Sequence, residues 1–216
     1  MSYLAAVRIE ARGLDDDVAE EIADIAARAE AEVRSHLPTL SDGITLCVKT
    51  GEFVIPETGE VGASVSPGRV EWMVDPASPG GILGVARRHL RESLFHELHH
   101  QVRGWVMTGG PRVKSFMVAV VAEGLATAFA RDAAGEDAPW AKYPDDVAAW
   151  VHELTGLRRT ANYSHWMYLH PDGRRWIGYR AGTYIADRAI QASGLSAAEL
   201  VHAPTTDILR LAEAAA

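Results

Sequence analysis

The hydrophobic periodicity of this chain changes once, near Asp75, and this change constrains the fold more than any other feature of the sequence. Before Asp75, short β-branched segments alternate apolar and polar residues, which is typical of half-buried strands. After a loop rich in proline and glycine, apolar residues recur every three or four positions, which is typical of helices. The sequence therefore predicts an α+β fold with a small N-terminal sheet lobe that also carries helices, and a mainly helical C-terminal lobe.

Individual strands and helices are predicted from these patterns and from the turn residues between them. Segments 61–65 and 69–75 flank the turn dipeptide Pro67-Gly68 and predict a hairpin. Two further strands are predicted at 4–11 and 44–49. The predicted helices are 15–36, 82–103, 113–130, 145–157 and 179–192, with two shorter pieces after Gly194.

Composition and charge limit the domain organisation and exclude several classes of function. A length of 216 residues suits one domain, which we expect to cover 1–216 with sub-lobes of about 1–104 and 105–216. The chain has 21 Lys and Arg against 29 Asp and Glu, a net charge of −8, so it lacks the basic surface that nucleic acid binding needs. Cys47 is the single cysteine and can form neither an internal disulfide nor a thiolate zinc site.

The sequence also gives no sign of a membrane segment or a secretory signal. Its amino terminus lacks the basic start and the apolar run of a signal peptide. The longest apolar stretch, 116–130, contains Glu123 and Thr127 and is shorter than the roughly 20 residues that span a bilayer. We therefore expect a cytoplasmic protein that does not bind membranes, and the sequence does not indicate its oligomeric state.

His96, Glu97 and His100 form the pattern H-E-x-x-H inside the predicted helix 82–103. Residues four apart lie on one face of a helix, so both imidazoles can bind one metal ion. Zinc binds neutral imidazole and keeps an open position for water when it is catalytic. Glu97 is rotated off the ligand face, where its carboxylate can act as general base on a zinc-bound water. The motif therefore predicts zinc-dependent hydrolysis.

Two histidines leave such a zinc ion short of a third protein ligand, and Glu123 is the best candidate. It lies in the segment FMVAVVAEGLATAF, where an ionised carboxylate costs several kcal/mol unless it is paired or binds a metal. Gly124 beside it is expected to let this helix and the H-E-x-x-H helix approach each other closely. His99 is an alternative ligand, although ligation by His96 and His99 would leave Glu97 without a role. We expect His99 to lie outside the ligand set or to face solvent.

These residues resemble the gluzincins, the thermolysin-like zinc metallopeptidases that use two histidines and a downstream glutamate as ligands. The chain is more similar to a family of small bacterial predicted zinc-dependent proteases in which H-E-x-x-H precedes an E-G-L-A segment, here 123–126. The similarity continues in 178–185 and 203–209 and covers the chain from about residue 61. It implies a zincin-like fold with the active-site helix between the two lobes.

Carried over residue by residue, the resemblance implies that His96, His100 and Glu123 bind zinc and that Glu97 is the general base and acid. It also implies a donor from the C-terminal lobe that stabilises the developing oxyanion. We predict Tyr179 for that role, with three alternatives: Tyr184, His165 and His170. The chain departs from thermolysin-type enzymes after Glu123, where no polar partner of this glutamate can be assigned.

The sequence is best interpreted as a zinc metallopeptidase that acts on a peptide or protein substrate. The small residues of 61–65 suit an edge strand approached by an extended substrate chain, by analogy with zincins. One alternative is a zinc-dependent hydrolase or tailoring enzyme acting on a non-peptide amide or a small metabolite. Another is a non-catalytic metal-binding module, against which Glu97 argues because a structural site has no use for a base.

Overall fold

The computed structural model describes residues 7–109, 115–135 and 138–215. The chain divides into two compact units, Met1–Gly110 and Pro111–Ala216. Within the described residues, the first unit contains a four-stranded sheet and three α-helices, and the second contains five α-helices. The predicted α+β class is therefore confirmed. That both units form one catalytic domain stays a prediction.

The sheet of the first unit is mixed and has the strand order β1-β2-β4-β3. Strand β2 pairs in parallel with β1 and β4, whereas β3 and β4 form the predicted antiparallel hairpin around Pro67-Gly68. Strand β3 therefore lies at an edge of the sheet. Residues 4–6 of the predicted first strand lie outside the described residues. The strands are β1 Arg8–Ala11, β2 Thr45–Thr50, β3 Glu60–Ser66 and β4 Arg69–Val74.

The core of the first unit lies between one face of this sheet and the helices that follow the strands. Helix α1, Asp16–His36, buries one face through Ile22, Ala26, Ala29 and Val33, as its apolar spacing predicts. The sheet contributes alternate residues to the same core, because successive side chains of a strand point to opposite faces. These are Leu46 and Val48 of β2 and Val70, Trp72 and Val74 of β4.

The prediction of one continuous helix over 82–103 is wrong in one respect, because a π-helical turn interrupts the α-helix. The segment consists of α2 Gly81–Val85, the turn Ala86–Leu90 and α3 Arg91–Arg103, which ends at Gly104 with φ 74°. A π-helical turn holds one more residue than an α-helical turn. The buried positions Val85 and Leu90 are accordingly five residues apart, whereas Leu90, Leu94 and Leu98 are four apart. The wider turn therefore keeps the apolar residues on one face.

Helices are the main regular elements in the described residues of the second unit, which also contain one isolated β-bridge between Leu169 and Arg175. Helix α7 begins two residues before its predicted start, after Trp176, a buried residue with φ 62°. Helix α6 was not predicted, because five residues are too few for a periodic signal. Residues 113 and 114 of the predicted third helix lie outside the described residues. The helices are α4 Phe116–Phe129, which a π-helical turn extends to Ala134, α5 Val147–Thr155, α6 Tyr163–Met167, α7 Ile177–Ser193 and α8 Thr205–Ala214.

Helices α4 and α7 pack with their main chains in contact at a pair of glycines. A Cβ atom added to Gly124 would lie 2.0 Å from the carbonyl carbon of Gly182, and one added to Gly182 would lie 2.1 Å from the carbonyl oxygen of Val120. No side chain fits at either position. The close approach at Gly124 is therefore made with α7 of the same unit, and the predicted partner, the H-E-x-x-H helix, was wrong.

No helix within the described ranges is both long and apolar enough to cross a membrane. The apolar helix α4 has 14 residues and is buried along almost its whole length. The predicted cytoplasmic location stays a prediction.

Replacement of Gly124 by alanine tests this helix contact. Because the added methyl group meets main-chain atoms that cannot rotate away, we expect Gly124→Ala to lower the free energy of unfolding by about 3 kcal/mol or more. Gly156→Ala is a matched control, since its Cβ would lie 3.5 Å from the carbonyl oxygen of Glu153, an ordinary contact. The control is expected to change stability by less than about 0.5 kcal/mol. Urea unfolding measures the free energy of unfolding of both variants. Equal values for Gly124→Ala and Gly156→Ala would contradict the close approach of α4 and α7.

Candidate metal centre

Helix α3 carries the two histidines of the H-E-x-x-H motif one turn apart. The Nε2 atoms of His96 and His100 lie 3.0 Å apart, and the two rings meet edge to face with centroids 4.6 Å apart. Two nitrogens that bind one tetrahedral zinc ion at about 2.0–2.1 Å lie about 3.3 Å from each other. The two imidazoles are therefore already spaced to bind the same ion.

Glu123 completes, with these histidines, a group of side chains able to bind a metal ion. His96, His100 and Glu123 each offer one ligand atom, and these atoms all lie within 4.8 Å of one another. Glu123 is 5% exposed in a helix whose neighbouring residues are apolar. Two imidazole nitrogens and one carboxylate oxygen form a donor set of catalytic zinc sites, which leave a fourth position open. The residues present therefore fit a zinc ion.

His99, which the sequence left open as a ligand, does not belong to this group. It is fully buried, and its ring centroid lies 6.4 Å from that of His100. The expectation that His99 faces solvent is wrong, because its side chain is fully buried.

Glu97 lies on the face of α3 that contacts the edge strand β3. The Ser64 hydroxyl donates a 2.8 Å hydrogen bond to the main-chain carbonyl oxygen of Glu97. A Cβ atom added to Gly62 would lie 2.9 Å from Cγ of Glu97 and 3.1 Å from its Oε1. The Glu97 side chain is therefore packed directly on the main chain of Gly62, and only a glycine leaves room for it there.

Gln101, one turn after Glu97, attaches the same helix face to the β3–β4 turn. Its side-chain amide donates to the carbonyl oxygens of Ser66 at 3.0 Å and Arg69 at 3.2 Å. Its Oε1 accepts a 2.9 Å hydrogen bond from the main-chain N–H of Gly68. The amide is therefore hydrogen-bonded at both ends, which fixes the hairpin on α3.

Ser93, one turn before Glu97, binds a buried carboxyl group that the sequence did not reveal. The Ser93 hydroxyl and the Trp72 indole N–H each donate a 2.7 Å hydrogen bond to Oε2 of Glu60. Burial raises the pKa of Glu60, the nearby charge of Glu97 adds to this rise, and the hydrogen bonds oppose it. In the sequence, the only indication of this contact is the alternation of β3, which places Glu60 on the same face as Gly62 and Ser64.

Tyr179, the predicted oxyanion donor, is half-buried on α7 within a cluster of aromatic rings. Its ring centroid lies 5.7 Å from Trp176 and 5.9 Å from Trp140. The hydroxyl of the alternative Tyr184 accepts a 3.2 Å hydrogen bond from Arg188. The assignment of the donor to Tyr179 stays a prediction.

The two alternative histidines lie in other surroundings of the second unit. His165 is exposed on α6, and its main-chain N–H donates to the side chain of Asn162. His170 packs against Trp166, and its Nδ1 lies 2.8 Å from Oδ1 of Asp172. Their roles as donors are likewise untested.

Tyr163 is a site residue that the sequence did not predict. Its hydroxyl lies 3.4 Å from Oε1 of Glu123, so it is a polar partner of the glutamate that had no assigned partner. The residue begins α6, the short helix that carries no periodic signal. Only the fold of the second unit brings the two side chains together.

Comparison with known proteins supports the zinc assignment. Residues 16–210 match the model of a family described as "Predicted Zn-dependent protease (DUF2268)". Searches of curated proteins and of solved structures found no match. The family match includes the H-E-x-x-H motif and Glu123, and the structure contains a His-His-Glu group able to bind a metal. The chain therefore belongs to the family of predicted zinc-dependent proteases.

Proposed function

We propose that this protein is a zinc metallopeptidase of the gluzincin type, in which His96, His100 and Glu123 bind the ion and Glu97 is the general base. The observation that carries the proposal is the gathering of the three ligand atoms within 4.8 Å, with Glu97 adjacent to His96 in the chain. A zinc ion bound there supplies a Lewis acid that polarises the scissile carbonyl and lowers the pKa of water to about 7.

The Glu97 carboxylate is suited to transfer protons in this reaction. It accepts a proton from the attacking water and returns it to the leaving amine, as one carboxylate can do in both directions. Its position depends on β3, because Gly62 contacts its Cγ and Ser64 binds its main-chain carbonyl. A base held by packing and hydrogen bonding needs little reorganisation when the substrate arrives.

The outer edge of β3 supports an extended peptide as the substrate. The main-chain carbonyl of Gly59 accepts a hydrogen bond from the main-chain N–H of Asp75. The main-chain N–H and C=O groups of the odd-numbered residues of β3 therefore face β4, and those of the even-numbered residues face the outer edge. On that edge Ile55 donates to the carbonyl of Glu60, and Met107 donates to that of Ser64. Gly62 lies between them, and in the described residues nothing hydrogen-bonds its outward main chain. A peptide main chain can pair there by strand addition, beside Glu97.

Tyr179 is our proposed donor to the oxyanion, in preference to Tyr184. The two tyrosines are five residues apart on α7, so they point about 140° apart around the helix. Tyr184 belongs to a polar network in which its hydroxyl binds Arg188 and its ring packs on Tyr143. Tyr179 instead packs on Tyr168, an exposed residue whose ring also contacts those of Trp176 and Tyr163. That chain of rings leads to the partner of Glu123.

The metal content of the purified protein tests the ligand assignment. We expect about one zinc ion per chain, and removal of the metal by a chelator should abolish peptide hydrolysis. Glu123→Ala should weaken zinc binding because it removes one of three ligands, whereas Glu213→Ala, at an exposed position of α8, should not. Elemental analysis and competition with a chelator measure both effects. A protein that takes up no zinc after incubation would contradict the proposal.

Glu97→Gln separates the general base from the ligands. The variant should keep its zinc, because both histidines and Glu123 remain, but lose at least about 10²-fold in kcat because an amide cannot accept the proton. Glu92→Gln is a matched control on the same helix, five residues earlier, and should retain activity. Hydrolysis of a fluorogenic peptide library is compared at equal zinc content. Full activity of Glu97→Gln would refute the assigned role.

Gly62→Ala tests whether the main chain of β3 positions the base. The new methyl group would lie 2.9 Å from Cγ of Glu97, so the side chain must move although the fold can remain. We expect kcat to fall by about 10–10²-fold, because small displacements of a reacting group are that costly. In the control Gly51→Ala, the Cβ would also lie 2.9 Å from a flexible side chain, but that side chain is Met73. Equal activity of the two variants would show that the contact has no such role.

A further inference from the structure

Tyr163 lies lengthwise along one face of helix α4. Phe116 and Glu123 are seven residues apart, so they lie on the same face of α4 and about 10 Å apart along its axis. The ring of Tyr163 packs on that of Phe116, with centroids 6.0 Å apart, and its hydroxyl lies 3.4 Å from Oε1 of Glu123. The side chain thus bridges the two turns that separate Phe116 from Glu123.

Neighbouring residues of the second unit hold Tyr163 in this orientation. Tyr168 also packs edge to face with the Tyr163 ring, at a centroid distance of 6.1 Å. Asn162 caps α6, because its side chain accepts a 3.2 Å hydrogen bond from the main-chain N–H of His165. The cap fixes the backbone at Tyr163 and the two rings fix the side chain. The direction of the hydroxyl is therefore determined by packing.

The chemistry of the two groups makes this contact directional. An ionised carboxylate only accepts hydrogen bonds, so the tyrosine hydroxyl must donate to Glu123. Glu123 is 5% exposed, whereas Tyr163 is 38% exposed, so the hydroxyl reaches a buried carboxylate from the surface of the unit. The other neighbours of Glu123 along α4 are apolar and offer no side-chain donor that could orient its carboxylate, apart from Thr127 one turn away.

We infer that Tyr163 is a positioning residue for the metal ligand Glu123, which it orients by donating a hydrogen bond to the carboxylate. This inference rests on the proposed function, in which Glu123 binds zinc. Hydrogen bonds to ligands from outside the coordination sphere fix ligand orientation, and their loss typically weakens metal binding by about 10–100-fold. The distance of 3.4 Å is long for a hydroxyl donor, so the lower end of that range is expected.

The test compares the zinc affinities of Tyr163→Phe and Tyr168→Phe with that of the unchanged protein. Each variant loses one hydroxyl group and keeps its ring, and the two tyrosines are similarly exposed at 38% and 41%. Competition of the purified protein with a zinc chelator should give a Kd about tenfold weaker for Tyr163→Phe. Tyr168→Phe should stay within about twofold. An unchanged Kd for Tyr163→Phe would overturn the inference.

A double-mutant cycle with Glu123→Ala distinguishes positioning from a general structural effect. If Tyr163 acts through Glu123, removal of its hydroxyl has no further effect on zinc binding by His96 and His100 once the carboxylate is absent. An equal loss of affinity in both backgrounds would mean that the hydroxyl acts elsewhere, and the inference would then be wrong. The unfolding midpoints of the metal-free proteins serve as the fold control.

The same measurements separate this inference from the proposed function. Zinc affinity is measured without substrate, so it does not depend on peptide hydrolysis. If the unchanged protein binds no zinc, both proposals are wrong. If it binds zinc and hydrolyses peptides but Tyr163→Phe binds zinc equally well, only the role of Tyr163 is wrong.

Discussion

The first unit depends on one contact, in which a face of α3 packs against the edge strand β3. Ser93, Glu97 and Gln101 follow one another at intervals of four residues, which is a rise of about 6 Å along a helix. Two residues of a strand rise by about 6.6 Å, so the helix and the strand stay in register. Ser93 accordingly binds Glu60, Glu97 contacts Gly62 and Gln101 binds the turn that follows β3. The same contact that stabilises the hairpin positions Glu97, our proposed general base.

The second unit has a corresponding contact, made by main chains instead of polar side chains. Gly124 and Gly182 bring α4 and α7 together without an intervening side chain, one residue from Glu123. Glu123 therefore lies in a buried and largely apolar helix, where an isolated ionised carboxylate would be strongly unfavourable. Tyr163 donates to that carboxylate, and a bound metal ion would neutralise it. A helix that is buried almost throughout can hold one acidic residue only because the residue has such partners.

Buried acidic groups are a common feature of both units. Glu60 and Glu97 lie near each other in the first unit, and the negative charge of Glu97 contributes to the raised pKa of Glu60. Glu60 retains two short hydrogen bonds that offset part of the loss of hydration. Groups of this kind lower the stability of a fold and persist where function needs them. Glu97 belongs to the H-E-x-x-H motif and Glu60 binds Ser93 of the same helix, which agrees with a functional site on that helix.

The sequence by itself determined the class of fold, the hairpin around Pro67-Gly68 and the three residues of the candidate metal centre. These depend on short-range periodicity, on turn residues and on residue types with few alternative uses. His96 and His100 share a helix, and Glu123 is conspicuous as a charge in an apolar segment. Only the tertiary structure revealed Glu60 and Tyr163 as partners, because each contact joins elements that are distant in the chain. The π-helical turn before α3 and the five-residue helix α6 also escaped prediction. In both cases packing of the whole unit outweighs the local pattern, since neither a single widened turn nor five residues can produce a periodic signal.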